Sequence, residues 1–115
     1  MFPGIANAKI FLCRLPTDMR RSYDTLAAMA ETELGEEPTS GALFVFLNRQ
    51  RNRVKILYFE TGGFCIWMKR LEAGSFPLPP ADRECKKQLI EPGTLAMLLD
   101  GLKIVKMKRY SLHNN

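Results

Sequence analysis

Between Gly41 and Phe76 the apolar positions gather into three short runs, Leu43 to Leu47, Val54 to Phe59 and Phe64 to Lys69. Each is rich in β-branched and aromatic residues, the composition that suits a pleated, half-buried surface. An arginine-bearing connection, Asn48 to Arg53, separates the first two runs, and Gly62-Gly63 separates the last two. The pattern predicts a three-stranded antiparallel meander. Glycine takes positive φ at little steric cost, so a two-residue turn centred on Gly62-Gly63 is expected to set the register. Thr61 would then face Phe64, with Phe59 opposite Ile66, Tyr58 opposite Trp67 and Leu57 opposite Met68. Both faces of that hairpin carry apolar pairs. The face with Ile56, Tyr58, Cys65 and Trp67 therefore needs a covering element or a partner, or stands as an exposed aromatic platform.

Outside the meander the period changes. Ala8 to Cys13 is a short apolar run that reads as a strand and stops at Pro16. Tyr23, Leu26, Ala27, Ala30 and Leu34 recur at helical spacing, predicting a helix from about residue 20 to 34 with Gly35 just past its end. Thr17, Asp18 and Ser22 are alternative N-cap residues. The charges of this helix oppose its dipole, with Arg20 and Arg21 at the start and Glu31 and Glu33 near the end. Two accounts are open: neutralisation within the fold by Asp18 and Asp24, or an anionic partner beside the free N–H groups. Pro77 to Pro80 predicts an extended crossover, and Glu84 to Lys87 an exposed charged stretch. Ile90 to Leu102 reads as a short helix with Pro92 at its first position, Leu95, Leu98 and Leu99 on its buried stripe and Gly101 after its end. Leu102 to His113 alternates apolar and basic residues in the manner of an edge strand, with Lys106 and Lys108 on one face. The fold class is α+β: an antiparallel meander of three strands plus one or two further strands, packed with two α-helices.

The 115 residues are expected to form a single domain, 1–115, with a flexible end at about 110–115. Cys13, Cys65 and Cys85 are irregularly spaced beside apolar stretches, which suits buried reduced thiols and a cytoplasmic protein. Residues 1–13 lack a charged region followed by a long apolar run and no later run reaches membrane-spanning length, so a soluble, unexported protein is expected.

The net charge of +5 is unevenly spread. Residues 41–70 carry six basic side chains against one acidic, and residues 101–115 carry four against none, whereas residues 1–40 and 71–100 are slightly acidic. Such clustering is what a phosphate-backbone footprint looks like, and also what a solvated face looks like. Arg49, Arg51 and Arg53 would point the same way if the strands extend into their mobile connection, forming a basic finger.

Catalytic and metal motifs are wanting. His113 is the sole histidine and no cysteines are closely paired, so neither a zinc site nor a Cys/His or Ser/His/Asp arrangement is indicated. No glycine-rich phosphate loop occurs. The expectation is a non-enzymatic binding protein without cofactor or metal.

Several blocks together carry a family resemblance. These are Thr17-Asp18-Met19-Arg20-Arg21 with Tyr23-Asp24-Thr25-Leu26, Ser40-Gly41 before Leu43-Phe44-Val45-Phe46, Lys55-Ile56-Leu57 and Gly63-Phe64-Cys65. Lys69-Arg70-Leu71-Glu72 with Gly74 and Phe76, and Leu95 to Gly101, complete the set. The chain resembles the TnpB-type accessory protein encoded by the second reading frame of the insertion-sequence group sixty-six, which is distinct from the RNA-guided nuclease of the same label. It departs from that pattern at Tyr58-Phe59-Glu60, where paired tryptophans and an aspartate are usual. Arg51-Asn52-Arg53 replaces an Arg-Gly-Asp-like turn, and Glu91 stands where serine or threonine usually caps a helix.

The resemblance implies a bacterial transposition accessory acting beside a separate, larger transposase, with no established catalytic residues. Two readings follow. In the first, the protein binds element DNA at the terminal inverted repeats, the larger transposase or both, with Arg20, Arg21, Arg49, Arg51, Arg53, Lys69 and Arg70 as the contact residues. In the second, Tyr58, Phe59, Trp67 and Phe76 form an aromatic surface that docks the transposase without DNA contact.

Overall fold

A computed structural model describes residues 7–81 and 83–101. Five strands, β1 (Ile10–Cys13), β2 (Leu43–Leu47), β3 (Arg53–Glu60), β4 (Gly63–Arg70) and β5 (Lys87–Ile90), form one sheet in the order β4-β3-β2-β1-β5. The predicted meander is β2-β3-β4, antiparallel throughout. Helix α1 (Tyr23–Thr32) links β1 to β2, which run parallel, and α2 (Pro92–Asp100) follows β5. The arrangement is α+β with a mixed sheet.

Strand β5 lies within what sequence reading assigned to a charged stretch and the start of a helix. Its pairing with β1 supplies the order instead: Ile10 faces Ile90 and Cys13 faces Lys87. Only one of its four residues, Ile90, is buried, so its apolar signal is weak. The expected strand and flexible end beyond Leu102 lie outside the described residues.

Alternation along the strands sends two apolar sets to opposite faces, and each face has its own cover. Phe11, Cys13, Phe44, Phe46 and Leu57 pack with Leu26, Met29, Ala30 and Leu34 of α1 and the segment after it. Phe11 and Phe44 stack with centroids 5.8 Å apart. On the other face Ile10, Leu12, Val45, Val54 and Ile56 pack with Leu95, Leu98 and Leu99 of α2 and with Phe76. The face left without an owner by the sequence is thus covered by α2 and the segment from Phe76. Tyr58 and Trp67 sit half-buried at the margin of that core.

The hairpin turn sits one residue earlier than predicted. Glu60 pairs with Gly63, so Thr61 and Gly62 are the turn residues, at φ 50° and 79°. Phe59 therefore faces Phe64, Leu57 faces Ile66 and Ile56 faces Trp67. Each partner has moved by two positions, so every side chain keeps its predicted face. The observed register brings the Phe59 and Phe64 rings edge to face at 5.1 Å. It also continues beyond β4, where the Leu71 N–H bonds the Asn52 carbonyl (2.8 Å) and the Phe76 N–H that of Arg51 (2.6 Å). The left-handed conformation is costly for a β-branched residue. Thr61→Asn is expected to stabilise the fold by about 1 kcal/mol, since asparagine tolerates this region and suits a type I′ turn. A higher urea midpoint at unchanged m value would show it.

The helix termini are partly as read. α1 begins at Tyr23, not at residue 20, with Ser22 as N-cap and its N–H donated to Thr25 Oγ1 at 3.0 Å. Tyr23 is exposed and leaves the predicted stripe. α2 has Pro92 at its first position and closes on Gly101 in the left-handed region, both as predicted, whereas Ile90, read as its start, belongs to β5. Glu91 at its N-cap makes no side-chain capping bond. Of the three free cysteines only Cys13 is buried; Cys65 and Cys85 are partly exposed. No helix among the described residues is long and apolar enough to cross a membrane.

Candidate nucleic-acid interface

On the α1 side of the sheet, the helix and the segment after it pack over Phe11, Phe44, Phe46 and Leu57, with Phe64 and Ile66 at the margin, and the ends of β3 and β4 away from the hairpin turn carry basic side chains instead. Arg53 and Arg70 are directly opposite one another. The inward bond from Leu71 to Asn52 sets the alternation, making Arg53 and Arg70 a non-hydrogen-bonded pair, the kind whose side chains approach most closely. Like charges so placed are destabilising. Lys55, two residues along, pairs with Met68 on the same face. Together with Met19, these four side chains border a groove of about 550 Å³.

Two connections frame the groove. Asn48 organises the first: its Oδ1 accepts the N–H groups of Asn52 and Arg53, both at 3.0 Å, and its Nδ2 donates to Asn52 Oδ1 at 2.7 Å. The connection is a tied turn rather than the mobile finger expected. Arg51 adopts φ 56° within it and the strands do not extend through it, so Arg49, Arg51 and Arg53 do not form one row. Arg49 borders an adjoining groove with Thr17, Asp18, Met19 and Arg53. The second connection precedes α1. Thr17 is buried and donates its N–H to Leu47 O at 2.8 Å, laying this segment along the end of β2. Lys55 Nζ then bonds the Arg21 carbonyl at 2.7 Å.

Charge balance separates the basic residues into two groups. Arg20 is held by Asp18, with Nε at 3.1 and 3.0 Å from the two carboxylate oxygens and Nη2 at 2.6 Å from Oδ2. Neutralisation within the fold therefore accounts for Arg20. Arg70 has an exposed partner in Glu72 at 3.1 Å, a pair of the kind that contributes little in water. At the opposite margin, Lys86 meets Glu33 and Lys87 meets Glu36. The acidic end of α1, unfavourable to its dipole, thus tethers the approach to β5. Among the described residues, Arg21, Arg49, Arg53 and Lys55 have no such carboxylate partner.

The Asp18–Arg20 pair leaves a signature. Hydrogen bonds from the Arg20 side chain, then from its backbone N–H, lower the Asp18 pKa from 3.8 to about 2. The sign follows: a depressed carboxylate pKa contributes stability that is fully present above the unfolded value and lost as pH falls through the folded one. Asp18 is exposed, so the effect on overall stability is small. Its carboxyl resonance is expected to titrate near pH 2, and Arg20→Ala to return the midpoint towards 3.8. An unchanged midpoint in that variant would exclude the assigned cause.

The other expected contacts scatter. Lys69 points to the α2 side, where its Nζ bonds Leu99 O at 2.9 Å and complements the helix C-terminus. The aromatic set does not make one surface. Tyr58 and Trp67 lie on the α2 face, Phe59 pairs with Phe64 on the α1 face, and Phe76 is 0% exposed. Phe76 is core, because the chain folds back there to close the α2 side. Sequence reading missed Lys55, although its position two residues after Arg53 on one strand was the available signal. Among the described residues, no three His, Cys, Asp or Glu side chains come together as a metal site would require.

Comparison with known proteins agrees with this geometry in extent. The family model described as IS66 Orf2 like protein matches residues 8–109, from just before β1 to past the end of α2. Two proteins of Sinorhizobium fredii, both described as uncharacterized, are similar along most of their length. One, y4hO, is 33% identical over 102 residues, covering 89% of this chain and 87% of its own. The other, y4jC, is 29% identical over 101 residues, covering 88% and 85%. No solved structure matches the chain.

Proposed function

Since the chain belongs to the IS66 Orf2-like family, we propose that its task in insertion-sequence transposition is to bind element DNA through the basic groove on the α1 side of the sheet. The observation that carries this reading is the Arg53–Arg70 pair. Two guanidinium groups stand opposite each other at the end of a hairpin, with Lys55 beside them and one solvent-exposed glutamate nearby. Local stability would favour opposite charges there, so a site kept doubly cationic suits an anionic partner.

Phosphodiester backbones supply such a partner. Guanidinium groups grip phosphate oxygens in pairs, and Arg49 and Arg21 extend the positive surface along the adjoining connections. The groove contacts would be to the backbone, so they position the protein on a duplex without reading sequence. In this reading the chain contributes binding and no bond-breaking step, which falls to the larger transposase. Direct binding of the purified full chain to duplexes carrying the element's terminal inverted repeats tests the proposal. Saturable binding at low salt that weakens as salt rises supports it, and absence of binding at low salt overturns it.

A further inference from the structure

Strand β4 is one margin of the sheet, with β3 as its only neighbour among the described residues. The other margin, β5, is four residues long and has Lys87 held by Glu36. β4 is twice that length, and its eight residues pair with β3 without a bulge. It contains no proline, and Gly63 to Trp67 carry no charge. Natural sheets usually blunt such an edge.

The inward bond from Leu71 to Asn52 fixes which groups point where. Alternation turns the backbone N–H and C=O groups of Cys65, Trp67 and Lys69 towards β3 and those of Phe64, Ile66, Met68 and Arg70 outward. The outward residues also share the α1 face, where Met68 is 60% exposed. The edge thus offers both hydrogen-bonding groups and an apolar row.

We infer that a second copy of this chain pairs antiparallel with β4 about a two-fold axis at Ile66. A two-fold axis normal to the sheet requires residues of one face to meet residues of the same face, which limits the central register to Ile66 on Ile66 or Trp67 on Trp67. The first sets Phe64 against Met68 and Cys65 against Trp67 of the other copy, an apolar match along the strand. It also sets Lys69 against Gly63, whose partner across the hairpin, Glu60, shares its face, so opposite charges approach at both ends. The second register sets Arg70 against Phe64 and Lys69 against Cys65, losing that match. Antiparallel pairing in the first register keeps the two Arg53–Arg70 pairs at opposite ends and yields a continuous sheet of ten strands, with both α1 sides facing one way.

Sedimentation equilibrium of the full chain tests this. The expected mass is twice the 13.1 kDa of one chain. Met68→Lys, at an exposed position, and Ile66→Pro, which removes an outward N–H, are each expected to give the single-chain mass with an unchanged circular dichroism spectrum. In a Cys65→Ser background, Ile66→Cys is expected to form a covalent dimer on oxidation, because Cα atoms of a hydrogen-bonded antiparallel pair lie about 5.5 Å apart, within disulfide reach. A single-chain mass for the unsubstituted protein across concentrations overturns the inference. A dimer unaffected by Met68→Lys, with no cross-link through position 66, does so as well.

Discussion

Phe76→Ala is expected to be among the most damaging single truncations in the fold, costing about 3–5 kcal/mol. The ring is wholly buried in the core on the α2 side of the sheet, among Val45, Val54, Ile56 and the leucines of α2. Its backbone N–H also ties the chain to Arg51 at 2.6 Å, so the residue fixes the return of the segment after β4 across the base of the hairpin. The cavity left by alanine would not close readily, because both the sheet and α2 are held by other contacts. A loss of that size is a large fraction of the roughly 5–15 kcal/mol that holds a typical domain together. Urea unfolding should show a much lower midpoint, with Phe76→Leu in between. A loss below about 1 kcal/mol, less than even a conservative core truncation usually costs, would contradict the buried placement.

Arg70→Glu is expected to separate binding from stability. It places a carboxylate opposite Arg53, converting a repulsive cross-strand pair into an attractive one, which should leave the fold unchanged or stabilise it by about 0.2–1 kcal/mol. Binding to DNA should move the other way. A charge-assisted hydrogen bond contributes roughly 1.5–3 kcal/mol, so losing one and adding repulsion should weaken affinity by tenfold or more. A variant that binds as well as the unsubstituted protein would remove Arg70 from the interface. One that loses both binding and stability would mean that the arginine pair serves the fold.

Much of the fold was legible because its strongest signals are local. The strands of the meander, the leucine stripe of α2 and Gly101 after it follow from alternation, helical period and the glycine's left-handed conformation. The register was not fully legible: Gly62-Gly63 offered two placements for a two-residue turn, and long-range pairing and ring contacts selected the one that strains Thr61. β5 was hidden for a different reason. A four-residue edge strand with one buried side chain has almost no pattern of its own, and its identity comes from β1. The candidate site shows the same division. Arginine clustering around residues 49–53 and 70 was visible in the sequence, whereas the face each side chain takes depends on where the strands begin and which carboxylates come within reach. That is why Arg20 is neutralised by Asp18, Lys69 serves α2, and Lys55 joins Arg53 and Arg70.

The salt dependence of DNA binding counts the phosphates that the basic groove neutralises. The logarithm of the binding constant should fall linearly with the logarithm of salt concentration, by about 0.9 for each phosphate neutralised. Arg53→Gln/Arg70→Gln should reduce the magnitude of that slope by about 2. A slope identical to that of the unsubstituted protein would contradict the assignment of this groove as the phosphate-binding surface.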